Sequence, residues 1–182
     1  MNNDITAGTS ILIGNSGGAA NNPVTSSVLF GSGQNNVTTR TLTFGGNKSI
    51  GNATVAAGGT VNLAGFGANT LDLFVGAYDS TGTTGSTSNF NLTGGTLLAS
   101  LTNLNIAQKI NGTNGGISGI VTLSGKANAI AVSLGNVTGN NTAGSNATNG
   151  TLNFGGGTFV VNNNVAMATW STNTVGTPTT TG

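Results

Sequence analysis

Leu73-Phe74-Val75-Gly76 and Leu104-Asn105-Ile106-Ala107 carry one pattern 31 residues apart, and between them Phe90-Asn91-Leu92-Thr93-Gly94 carries it again. Each segment has a large apolar residue at its first and third positions. Stepping outward by the same interval meets Ile11-Leu12-Ile13-Gly14 and Leu42-Thr43-Phe44-Gly45, then, with small offsets, Val132-Ser133-Leu134-Gly135 and Val165-Ala166-Met167-Ala168. The intervening segment recurs at Val28-Leu29-Phe30, Val61-Asn62-Leu63, Val121-Thr122-Leu123 and Leu152-Asn153-Phe154. Every first and third position is Ile, Leu, Val, Phe or Met, in a chain whose apolar fraction is only 36%. Chance does not align apolar residues in that way.

A repeat of this length marks stacked units, none of which can bury its apolar face alone. The local period is two, and Gly, Asn and Ser fill the intervals, so each unit is built of short strands and turns. A propeller blade needs about 40 residues and antiparallel hairpins. The better fit is one coil of a parallel β-helix. The chain is therefore expected to be an all-β solenoid of five to six coils, with about 31 residues in each.

In such a stack the rows Ile11, Leu42, Leu73, Leu104, Val132, Val165 and Ile13, Phe44, Val75, Ile106, Leu134, Met167 face inward. The outward position of the intervening segment reads Asn62, Asn91, Thr122 and Asn153, which predicts a polar ladder of amides along the stack. Leu12, Leu29 and Phe74 are apolar exceptions on the outer surface. A Gly-Gly-Thr motif at Gly94-Gly95-Thr96-Leu97, repeated at Gly156-Gly157-Thr158-Phe159, suggests a third short strand per coil.

Residues 1–10 read as a lead-in or partial strand, 11–169 as the β-helix, and 170–182, which are Thr-rich, as a tail or linker. Neither flank shows a capping helix or an added charged strand. Solenoid ends are open sheet edges, so Ile11, Ile13 and Val28 at one end, and Leu152, Phe154, Val165, Met167 and Trp170 at the other, are the candidate surfaces for end-to-end assembly.

The runs Leu92-Thr93-Gly94-Gly95-Thr96-Leu97 and Leu152-Asn153-Phe154-Gly155-Gly156-Gly157-Thr158-Phe159, with the apolar-x-apolar-Gly segments, resemble the β-strand repeats of bacterial autotransporter passenger domains and related secreted parallel β-helix proteins. The resemblance implies a right-handed β-helix at a bacterial cell surface, in an adhesive or scaffolding role. Gly125-Lys126-Ala127-Asn128 departs from the Gly-Gly-Thr pattern, and no translocator barrel is present in the sequence.

Several chemistries find no support. Four basic residues, Arg40, Lys48, Lys109 and Lys126, are scattered, so no basic patch awaits nucleic acid. No apolar run approaches the roughly 20 residues that span a bilayer, so membrane insertion is not expected. Met1-Asn2-Asn3-Asp4 lacks the basic and apolar regions of a signal peptide. With no cysteine there is neither a disulfide nor a thiolate metal site, and no cofactor is expected. Gly14-Asn15-Ser16-Gly17-Gly18 matches a nucleophile-elbow pattern, but the chain has no histidine to act as its base. The three acids, Asp4, Asp72 and Asp79, are too dispersed to suggest a glycan-cleaving site. Thr41-Leu42-Thr43 superficially suggests an ice-binding face, which the other outward residues contradict.

The expectation is a non-enzymatic structural protein, extracellular or at a bacterial cell surface, whose subunits stack head to tail into a filament. Its partner is then itself, with glycans or other surface proteins as further candidates. A segment of an adhesin or passenger stalk is the alternative, and a polysaccharide-active enzyme or an ice-binding protein a more distant one.

Overall fold

A computed structural model describes residues 2–15, 24–47, 49–68, 70–79, 86–111, 116–138, 148–171 and 180–181. In chain order the strands are β1 (Asn2–Thr6), β2 (Ser10–Asn15), β3 (Thr25–Phe30), β4 (Gln34–Thr38), β5 (Thr41–Gly46), β6 (Ile50–Val55), β7 (Thr60–Ala64), β8 (Leu71–Asp79), β9 (Ser86–Asn91), β10 (Thr96–Asn111), β11 (Ile117–Thr138), β12 (Thr148–Ser171) and β13 (Thr180–Thr181). Among the described residues there is no helix, and every strand pairing is parallel.

The strands wind around three faces. The first stacks β1, β4, β7, the start of β10 and the middles of β11 and β12. The second stacks β2, β5, β8 and the ends of β10, β11 and β12. The third stacks β3, β6, β9, the starts of β11 and β12, and β13. This is a parallel β-solenoid of about 4 turns, with about 31 residues per turn.

The five to six coils expected from sequence are therefore somewhat too many. The outermost layers explain the difference. Among the described residues β1, β2 and β3 pair on one side only, and the outer edge of β12 is paired only at Thr148 and Asn149, so these layers do not close a packed turn.

On the second face the pairing joins Ile11 to Leu42, Leu42 to Leu73, Leu73 to Leu104, Leu104 to Val132 and Val132 to Val165. The parallel column runs Ile13, Phe44, Val75, Ile106, Leu134, Met167. These are the rows read from the sequence, and their inner members form the core. Each layer then turns at a left-handed residue: Gly14, Gly45, Gly76, Ala107, Gly135 and Ala168 all have φ between 52° and 75°. Glycine suits this corner for a second reason. A Cβ on Gly45 would lie 1.8 Å from Ser88 Oγ and 2.9 Å from the Ser49 carbonyl oxygen. The third-face residues that meet the corner are correspondingly small. The Gly51 amide donates to Ser88 Oγ at 3.1 Å, and Ser88, Gly119 and Gly150 stand in register.

The third face corrects one assignment. Val28 pairs with Ala53, and Ala53 with Phe90, so β6 fills the place expected for Val61-Asn62-Leu63. Val61 and Leu63 are buried on the first face instead, between β4 and β10. The cause is the short connection from β5 to β6, which brings the chain to the third face early. Ala53 is also small, so it carries no strong apolar signal. The space above it is taken by Phe90, whose ring lies 5.1 Å from that of Phe44.

A third strand per turn exists, but Leu97 pairs with Gly125 and Gly125 with Gly157. The two Gly-Gly-Thr motifs are thus two residues out of step in the stack.

Candidate functional site

Among the described residues the surfaces with chemical character are the two ends and the polar ladders. At the end formed by β1, β2 and β3, Ile11, Ile13 and Val28 are partly buried against the core, while Ile5 is 43% exposed. One layer further inside, Leu42 and Phe44 are sealed. At the opposite end Val165 is 51% and Met167 61% exposed, although they stand in the same two columns. Phe154 is 43% exposed, with its ring 6.1 Å from that of Phe159, and Leu152 is partly buried. Trp170 pairs in register with Val137, and its side chain lies outside the described residues. An open hollow of about 250 Å³ is lined by Leu134, Gly150, Thr151, Leu152 and Met167.

Both ends also present strand edges. The amide and carbonyl groups along such an edge are a template for another parallel strand. Val160 adds a further exposed apolar residue to β12, one that sequence reasoning missed because it stands on the outward side of the third strand.

The expected ladder of Asn62, Asn91, Thr122 and Asn153 divides between two faces. Asn91, Thr122 and Asn153 share a third-face column, and Asn153 Nδ2 donates to Thr122 Oγ1 at 3.3 Å. Asn91 Oδ1 serves its own turn, accepting from the Thr93 amide at 2.9 Å and the Thr93 hydroxyl at 2.7 Å. Asn62 belongs to the first face, where its Nδ2 donates to Asn36 Oδ1 at 3.3 Å and Asn36 Nδ2 donates to Asp4 Oδ1 at 2.6 Å. Asn89 donates to Asn52 in a similar bond at 3.3 Å, and Asn103 donates to Asp72 at 2.8 Å. Amide hydrogen bonds from one layer to the next therefore recur on all three faces.

Sequence reasoning also missed an internal member. Asn35 points inward on β4 and is 3% exposed. Its Oδ1 accepts from the Gly31 amide and from Asn3 Nδ2, both at 2.9 Å, while its Nδ2 donates to the carbonyls of Gly31, Gly33 and Thr60. The side chain closes the turn between β3 and β4 and ties three layers together. Its signal was available: an Asn at an inward position preceded by glycines is a turn residue.

The acids are apart. Asp4 lies on the first face and Asp72 on the second, each accepting from an asparagine of the adjacent layer. The Asp79 side chain lies outside the described residues, as does Ser16. Among the described residues no three His, Cys, Asp or Glu come together as a metal site. No helix there is long and apolar enough to cross a membrane. Lys109 is fully buried, and the loss of solvation lowers its amine from 10.5 to about 8.

No protein-family profile, curated protein or solved structure matches the chain.

Proposed function

We propose that this β-solenoid is right-handed and serves as a non-enzymatic structural subunit, working outside the cell or on a bacterial surface, that assembles head to tail into a filament. One observation carries the reading. The two apolar columns that seal the core end in exposed Val165 and Met167 at one end and in one-sided Ile11 and Ile13 at the other. A second copy laid end to end gives each column its missing neighbour, and the strand edges their hydrogen bonds. Such a contact is heterologous and does not close, so it propagates. Sparse charge, only 4% of residues, leaves little repulsion between the ends.

Negative-stain electron microscopy over a concentration series, with sedimentation alongside, tests this. Fibres with an axial repeat of roughly 25 to 30 Å, the height of the six strand layers stacked on each face at about 4.8 Å per layer, partly closed end layers included, are the expected result. Small monodisperse particles at every concentration would overturn it, and a stalk segment of a surface adhesin would then be the better reading.

A further inference from the structure

Resting on that head-to-tail reading, we infer that the ends meet in a single register, the one in which the second-face corner continues from copy to copy. Three independent features of the fold select it. The first is the corner itself. Ala168 has φ 52° and Gly14 φ 72°, the same left-handed conformation that turns each intervening layer. Rotating the incoming copy by one face would set this corner against a straight strand, breaking the parallel hydrogen bonds on both sides of it.

The second feature is the inward columns. With Ala168 beneath Gly14 of the next copy, Val165 lies beneath its Ile11 and Met167 beneath its Ile13, prolonging the pairing already made by Val132 and Leu134. On the first face the register positions Ile5, Val37, Leu63, Ala99, Ala127 and Phe159 are prolonged in the same way, so Phe159 lies beneath Ile5. A slip of one residue would turn Val165, Met167 and Phe159 against outward positions.

The third feature is polar. In this register Thr158 stands beneath Asp4 of the next copy, continuing the register positions Asp4, Asn36, Asn62, Leu98, Lys126 and Thr158. Asp4 already accepts from Asn36 on one side. The Thr158 hydroxyl supplies a donor on the other. On the third face β13 occupies part of the next layer over Thr148 and Asn149, so β3 of the incoming copy approaches β13, and the hollow beside Leu152 lies under the seam.

The absence of native cysteine makes the register directly readable. Full-length Ile11→Cys and Val165→Cys chains are mixed, allowed to assemble and oxidised, and Asp4→Cys is mixed with Thr158→Cys as a second pair on the outer surface. Adjacent layers about 4.8 Å apart suit a disulfide, whereas a partner two residues along lies about 8 Å away, beyond its reach. Both pairs are expected to cross-link roughly tenfold more than the offset pair Ile13→Cys with Val165→Cys. Fibres in which the offset pair links instead would overturn the register and leave head-to-tail assembly standing. Val165→Cys linking to itself alone would mean tail-to-tail contact and overturn both, as would the absence of fibres and cross-links together.

Discussion

Leu104 and Val165 occupy one column two layers apart, as do Ile106 and Met167, yet the first of each pair is sealed and the second is half exposed. Nothing in the residues themselves accounts for this. The interior layer has a strand above and below on this face, and among the described residues the last has one below only. In a solenoid burial belongs to the interface between layers, and stability is the sum of such interfaces.

The largest test of that contrast is a pair of truncations. Phe44→Ala removes a fully buried ring packed at a tilt against Phe90 and is expected to cost about 3 to 5 kcal/mol in denaturant unfolding. Met167→Ala, in the same column, is expected to cost under about 1 kcal/mol in the dispersed chain while weakening assembly. Equal costs would break the comparison.

The corner offers a second pair. Gly45→Ala adds a methyl group within 1.8 Å of Ser88 Oγ at a positive φ, and a loss of about 2 to 4 kcal/mol is expected in the same assay. A third test titrates the interior. Below pH 8 Lys109 is protonated in both folded and unfolded chains and the burial penalty is complete; between 8 and 10.5 the folded chain releases the proton first. Stability should therefore rise with pH across that window, on the order of 1 kcal/mol, and Lys109→Met should flatten the rise. Smallest is Ala168→Gly, which relieves an exposed left-handed alanine in the last layer and should raise the melting temperature slightly, by about 0.5 kcal/mol of stability. A loss there would mean that the corner is not held in this conformation in the end layer.

The second face is legible in the sequence because its apolar pairs repeat without interruption and always precede a corner residue. β6 is not, because two of its three inward residues, Gly51 and Ala53, are small and leave Val55 alone to carry an apolar signal; the fold has them small so that they fit against the corner and beside Phe90. An apolar count is blind to a position selected for lack of volume. For the same reason Val61, a better apolar match, is drawn to the wrong face, and Asn62 goes with it into a ladder that it does not join. The candidate end residues are legible only as sequence positions; that Val165 and Met167 are more exposed than Ile11 and Ile13 depends on three-dimensional closure that no periodicity encodes. Asn35 escapes notice because its neighbours, Gln34 and Asn36, are polar as well, which hides an inward residue among outward ones.

The parallel pairing of the described strands also governs how the chain acquires its shape. Among the described residues each strand must wait for a segment about 31 residues away, from 25 between Val28 and Ala53 to 37 between Asn52 and Asn89. The loop to be closed is therefore nearly the same at every turn, and its entropic cost grows only with the logarithm of its length. Once one pair of layers exists, each later turn condenses on a finished template. The time to fold then rises by a step per turn, and a chain with more turns would meet no higher barrier than this one.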